Sequence, residues 1–175
     1  MSSIYKPAED SYLLSRILKE KIIDKNIKTL EIGTGSGIHL ETLKNLGISK
    51  ENIFSSDINS QSVRHCSLLG FNCVQSDLFE NIKGKYDVII FNPPYLPDDA
   101  REPCDSKIAT TGGENGCEII NKFLLQAKNY LKENGKIFLL VSNLTKGIDF
   151  LNYKKDLIGT EKLFMEELSV WELKV

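Results

Sequence analysis

The sequence predicts a three-layer α/β domain, with helices on both faces of a mostly parallel sheet and one antiparallel strand near the C-terminus. Three observations carry that prediction. Short apolar runs alternate with stretches of helical spacing along most of the chain. Residues 86–92 (YDVIIFN) are apolar through their middle, as a strand covered on both faces must be. The last two strand-like runs lie too close together for a crossover helix, so they pair antiparallel.

Taken in order, residues 29–33 (TLEIG) form a strand that stops at glycine, and Ile38, Leu40, Leu43 and Leu46 then recur at helical spacing before Gly47. The unit repeats with a strand at 52–57 (NIFSSD), a helix over about 60–69 and a third strand at 72–77 (NCVQSD). The run at 86–92 ends on Pro93-Pro94, which stops a strand, and it belongs at the centre of the sheet. After an irregular stretch over 96–116, Ile119, Ile120, Phe123, Leu124, Ala127, Tyr130 and Leu131 mark an amphipathic helix closed by Gly135. Residues 135–142 (GKIFLLVS) form another buried strand. The tail is expected to hold a short helix over about 147–155 and two strands, 161–168 (EKLFMEEL) and 170–175 (VWELKV).

A chain of 175 residues with 41% hydrophobic residues buries one core, so one domain over residues 1–175 is expected. With 22 Lys and Arg against 24 Asp and Glu, the net charge of -2 offers no broad basic surface for phosphate-dominated binding, which disfavours a nucleic-acid substrate. No apolar run is long enough to span a bilayer and the N-terminus has no signal-peptide core, so a cytoplasmic or nuclear protein is expected. Cys66, Cys73, Cys104 and Cys117 make no C-x-x-C pair, and His39 and His65 fall in no ligand pattern. Reduced thiols and no metal are expected.

In a parallel sheet of this kind ligands sit outside the carboxyl ends of the strands. The first strand ends in Glu31-Ile32-Gly33-Thr34-Gly35-Ser36-Gly37, where glycines allow a sharp turn and a close approach to the backbone. A glycine-rich turn alone suits many nucleotides, but here the third glycine comes one position early for a dinucleotide fingerprint. The Glu31 carboxylate would repel a pyrophosphate and welcome a sulfonium ligand carrying an α-amino group. Asp57 ends the second strand, placed either to take ribose hydroxyls or to cap the next helix. Asp77 and Leu78 end the third, suited to an adenine amino group and ring, or to a turn. Three acidic residues on three successive strand ends describe a nucleoside without phosphate.

The sharpest signal is Asn92-Pro93-Pro94-Tyr95 at the end of the central strand. An amide or aromatic amino nitrogen has a delocalised lone pair and must pyramidalise before it attacks a methyl group. Asn92 can accept one of its N–H hydrogens and the Pro93 carbonyl the other, while Tyr95 stacks on the flat acceptor. Orientation and electrostatics then carry most of the rate.

Together the glycine loop, Asp57, Asp77 and Asn92-Pro93-Pro94-Tyr95 resemble the class I methyltransferases that act on amino nitrogens with S-adenosyl-L-methionine, a Rossmann-like group with a seven-stranded sheet. Tyr5-Lys6-Pro7-Ala8-Glu9-Asp10-Ser11 and Gly112-Gly113-Glu114-Asn115-Gly116 resemble the archaeal and eukaryotic branch of the HemK type. That resemblance implies methylation of the glutamine in the Gly-Gly-Gln loop of a class I peptide-chain release factor, with protein lysine as the alternative acceptor. It further implies that Ser11 touches the methionyl end of the cofactor, Glu31 and Gly33 its amino acid portion with Gly35 in the same loop, Asp57 the ribose, Asp77 and Leu78 the adenine, and Asn92 the acceptor. Bacterial relatives carry an added N-terminal helical domain, which is not expected here because the specific segment begins at Tyr5.

Residues 70–76 (GFNCVQS) should lie at a sheet edge, yet they hold no charge and no proline to block strand addition. The resemblance implies a heterodimer with a small zinc-binding activator, and a partner strand burying Phe71 and Cys73 or Val74 is expected along this edge through Ser76. A DNA adenine-N6 methyltransferase shares the Asn-Pro-Pro-Tyr chemistry but should flip its base from a basic cleft, and none is visible. A silent cofactor-binding subunit should have lost Asn92 or the glycine loop, and a nicotinamide oxidoreductase does not fit Glu31.

Overall fold

The structure is a computed structural model that describes residues 4–98 and 110–175, so Cys104 and the middle of the irregular stretch fall outside the described residues. Helices α1 (Glu9–Lys21), α2 (Ile38–Asn45), α3 (Ser60–Leu68) and α4 (Glu118–Ala127) surround strands β1 (Thr29–Ile32), β2 (Ile53–Asp57), β3 (Asn72–Gln75), β4 (Tyr86–Phe91), β5 (Leu131–Ser142), β6 (Lys154–Lys162) and β7 (Glu167–Lys174). The strands form one seven-stranded sheet in the order β3-β2-β1-β4-β5-β7-β6. Strands β1 to β5 pair parallel, and β7 pairs antiparallel with both β5 and β6. Only β7 therefore runs against the rest, as the sequence predicts.

Side-chain alternation in the central strands builds two cores. Val88 and Ile90 of β4 and Phe138 and Leu140 of β5 face a core shared with Leu14 and Leu18 of α1 and Leu40 and Leu43 of α2. Ile89 and Phe91, with Ile137 and Leu139, face the other core, where Ile120, Phe123 and Leu124 of α4 pack. Both faces of β4 are thus dry, which explains its unbroken apolar run.

Three elements differ from the sequence expectation. Helix α1 was not anticipated, although Leu13, Leu14, Ile17 and Leu18 stand at helical spacing, Glu9 and Asp10 fill its first turn and Lys19 and Lys21 its last. Helix α4 stops at Ala127 rather than running through Leu131, because Leu131 already pairs with Tyr86 and the register to β4 then jumps to Val88 and Lys136. Residues 132–135 bulge between those pairs, with Asn134 at φ 63° and Lys132 Nζ 2.7 Å from Asp87 Oδ2.

No helix forms over 147–155. The Asn121 side chain takes the Asp149 N–H and donates to the Gly147 carbonyl, and Asp149 Oδ1 accepts from Leu151 N. These side-chain bonds replace a helical ladder. The tail strands accordingly shift: β6 starts at Lys154, a turn occupies 163–166 and β7 starts at Glu167. Among the described residues no helix is long and apolar enough to cross a membrane.

Candidate active site

Strand order reverses between β1 and β4, since β2 and β3 extend to one side of that pair and β5 to the other. A cavity of about 390 Å³ opens at the carboxyl ends there, large enough for a nucleoside-sized ligand. Its wall includes Ser11, Glu31, Gly33, Gly35, Asp57, Asp77, Leu78, Asn92 and Pro93, so residues spread over 82 positions of sequence meet in one place.

The loop after β1 owes its shape to glycine. Gly33, Gly35 and Gly37 take φ of 69°, 52° and 80°, a region other residues enter at a cost. Asp57 ties the loop down: Oδ2 accepts from Gly35 N and Oδ1 from Asn59 N, each at 2.8 Å. Helix α3 is capped by Asn59, whose side chain accepts from Gln61 N, so the cap alternative for Asp57 does not hold. Burial holds the Asp57 carboxyl above its ordinary range against the pull of those N–H groups. Asp77 is half exposed and pairs through Oδ2 with Lys122 Nζ at 3.0 Å. Leu78 sits at φ 47° and is buried against the cavity, a strained backbone position of the kind that clusters at binding sites.

Glu31 is buried and both of its oxygens are engaged. Oε1 lies 2.6 Å from His39 Nδ1, and Oε2 accepts from Thr34 Oγ1 at 2.8 Å. His39 Nε2 stands 3.1 Å from the Ser11 carbonyl. Burial lowers the His39 pKa, but the Glu31 charge and hydrogen bond outweigh it and the net shift is upward. His39 therefore joins β1 to the start of α1. The sequence reading gave it no role, since its place as the second residue of the helix after the glycine loop does not by itself announce a partner.

Asp10 is the second residue whose role the sequence reading missed, despite its place in the Tyr5 to Ser11 segment. Its carboxylate accepts from the Tyr5 hydroxyl at 3.0 Å, from Ser11 N at 2.6 Å and from Asn92 Nδ2 at 3.0 Å. A carboxylate only accepts, so it selects the amino end of Asn92 and turns Oδ1 away. That Oδ1 is buried and has no hydrogen-bond partner among the described residues. An orphaned acceptor at the end of the central strand is a place made for a donor.

Tyr95 is not part of the cavity wall. Its ring packs against both cores, and its hydroxyl lies close enough to Asp10 to feel that charge. Burial and the Asp10 charge push the Tyr95 and Tyr5 hydroxyls above the ordinary phenol range, so both remain neutral donors. The glycines at 112–116 lie against this backbone: a Cβ on Gly112 would overlap the Pro94 carbonyl and one on Gly116 the Tyr95 carbonyl. Gly112→Ala should displace the Pro94-Tyr95 segment and lower turnover about tenfold, with cofactor affinity little changed, as steady-state kinetics would show.

The carboxylates of Glu31, Asp57 and Asp77, with the bent glycine loop, fit a cationic amino acid and nucleoside rather than a phosphate ester. Asn92, in the same wall, leaves its Oδ1 as a buried acceptor with no donor among the described residues.

Comparison with known proteins agrees. Residues 8–163 match the methyltransferase small domain. A putative protein N5-glutamine methyltransferase of Methanocaldococcus jannaschii is 38% identical, over 97% of this chain and 92% of its own length. The eRF1 methyltransferase catalytic subunit of Schizosaccharomyces pombe is 29% identical, over 78% of this chain and 71% of its own. The solved E. cuniculi Mtq2–Trm112 complex, responsible for methylating eRF1, superposes with a TM-score of 0.78 at 26% identity, covering 99% of each chain. With its sheet order, glycine loop and Asn92 in place, this chain belongs to the methyltransferase small domain family and is an S-adenosyl-L-methionine-dependent N-methyltransferase.

Proposed function

We propose that this enzyme methylates the side-chain amide nitrogen of the glutamine in the Gly-Gly-Gln loop of a class I release factor, in the cytoplasm, from one domain over residues 1–175. The observation that carries the reading is the orphaned Asn92 Oδ1, held by Asp10 so that it accepts and does not donate. A primary amide brings two N–H donors. One is taken by Asn92 Oδ1 and the other by the Pro93 carbonyl, which draws the lone pair out of conjugation and aims it. The bound cofactor supplies a methyl group on a positively charged sulfur. Once the nitrogen carries the methyl, it releases its excess N–H proton to solvent water and returns to a neutral, planar amide. Ser11, Glu31 and the Gly33–Gly35 turn hold the cofactor's amino acid end, Asp57 its ribose, and Asp77 with Leu78 its adenine. Tyr5 steadies Asp10 through its hydroxyl, and Tyr95 is left to contact the acceptor. The name of the Methanocaldococcus jannaschii relative supports glutamine as the acceptor, and that of the Schizosaccharomyces pombe relative supports a release factor as the protein that carries it. Peptide mapping by mass spectrometry after reaction should place the methyl on the loop glutamine, and a methyl found on lysine instead would overturn the reading.

The same reading includes a small zinc-binding activator subunit added along β3; the E. cuniculi neighbour is itself a complex of two proteins, which supports a partner of some kind. Strand β3 is the sheet edge, and a second hollow of about 450 Å³ lies against it, lined by Cys73, Val74 and Tyr86 among others. Phe71 is 5% exposed and belongs mainly to the core, where Lys50 covers its ring, so it offers a partner little. Val74, 43% exposed, is the better contact. Val74→Asp should leave the fold intact and weaken co-purification of the activator at least about tenfold in a pull-down, since a charge is buried unpaired. Unchanged recovery would contradict the edge assignment.

A further inference from the structure

We propose that the β6–β7 hairpin is an arm that grips the acceptor protein beside the methylated side chain, with Phe164 and Met165 packing on its apolar surface and Glu166 accepting one of its hydrogen bonds. The inference rests on the acceptor being a protein, as argued above. Antiparallel pairing sets Ser142 at the end of β5 opposite Leu168, so the turn at 163–166 stands at the same end of the sheet as Asn92. The turn is tied at both sides. Leu163 packs on the core and its N–H donates to the Glu166 carbonyl at 2.7 Å. Asn143 Oδ1 takes Glu167 N at 2.9 Å, and Asn143 N donates to the Glu167 carbonyl at 3.0 Å.

Between these anchors Phe164 is 98% exposed and Met165 79% exposed. Single exposed apolar residues are ordinary. Here an aromatic and a methionine, types enriched where proteins meet, are adjacent on a fixed turn. Glu166 connects this tip to the site. Its charge reaches the hydroxyls of Tyr5 and Tyr95, the two phenols that surround Asp10, and its Oε1 is buried with no partner among the described residues. Asn92 Oδ1 and Glu166 Oε1 are thus two orphaned acceptors at the same end of the sheet. The occupant that satisfies both is a polypeptide segment, with the reacting amide at Asn92, an N–H at Glu166 and apolar side chains reaching the tip. A second copy of this chain would cover the tip but gives no reason for a donor at Glu166.

The test is steady-state methylation of the release factor by enzyme co-expressed with its activator. The variants are the Phe164→Ser, Met165→Ser double mutant, Glu166→Ala and Glu166→Gln, with Ile23→Ser as control. Ile23 is 83% exposed and lies between α1 and β1, at the opposite end of the sheet. The double mutant should raise the KM for the release factor about tenfold or more, with kcat and cofactor affinity within about twofold of wild type. Glu166→Ala should raise KM in the same direction, and Glu166→Gln, which keeps an acceptor oxygen, should restore it. An unchanged KM in the double mutant overturns the inference alone, including where sedimentation shows that the tip's loss dissociates a dimer. An equal rise in Ile23→Ser also overturns it. Wild-type enzyme that transfers no methyl to the release factor overturns the acceptor reading, and this inference falls with it.

Discussion

Asn92→Ala is expected to lower kcat for methyl transfer by about 10²- to 10³-fold while the cofactor dissociation constant stays within about threefold. The magnitude is that of removing one preorganised hydrogen-bonding partner from a reacting centre. Asn92 is suited to that role because its other end is already committed: Nδ2 donates to Asp10, so Oδ1 needs no reorganisation when the acceptor arrives. Asn92→Asp should be as damaging although it keeps an acceptor oxygen, because a second carboxylate would then face Asp10 with no donor between them. Single-turnover transfer at saturating cofactor, beside calorimetric cofactor binding, separates the two effects. Loss of cofactor binding equal to the loss of rate would assign Asn92 to the cofactor and not to the acceptor.

His39→Ala is expected to destabilise the fold by about 3–5 kcal/mol, because it leaves Glu31 as a buried carboxylate deprived of its partner. For a chain of this length that corresponds to a Tm lower by roughly 6–20 °C. The effect depends on pH with a definite sign. The folded His39 pKa lies above its ordinary 6.5, so the stabilisation from the charged imidazole is complete below about that pH and is lost as pH rises through the raised folded value. The Tm gap between wild type and variant should therefore narrow towards alkaline pH. Neutral imidazole still donates one hydrogen bond, so the gap should not close. Thermal melts across that window test this, and a gap that widens with pH would contradict the charged pair.

The parts of this molecule that were legible in the sequence are those whose signal is local. The apolar middle of β4, the glycine loop and the two prolines after Asn92 each state their conformation within a few residues, and the central place of β4 and the edge place of β3 were readable from them, while the full strand order is seen only in the fold. Strand β6 was mislocated because its signal is not local. It is the outer edge, mostly solvated, and its residues Lys154, Lys155, Asp156, Glu161 and Lys162 show no clear alternation. Its place is set by β7 alongside and by Ile17 of α1, which packs so closely on Gly159 that a Cβ there would overlap it.

The site divides the same way. Glu31, Asp57, Asp77 and Asn92 stand at strand ends, where the topology alone says that ligands sit. The roles of Asp10 and His39 arise from contacts across 82 and 8 residues of sequence, and no spacing rule announces them. Tyr95 closes the motif in sequence but its ring is packed against both cores and lies outside the cavity wall, a placement that adjacency alone does not reveal.

The account's central claim is tested most directly by methyl transfer from labelled S-adenosyl-L-methionine, with the co-expressed activator, to the organism's own class I release factor and to a copy whose loop glutamine is changed to asparagine. The account predicts label in the wild-type factor and none in the copy. Equal labelling of both, or of neither by enzyme that binds the cofactor, would contradict it.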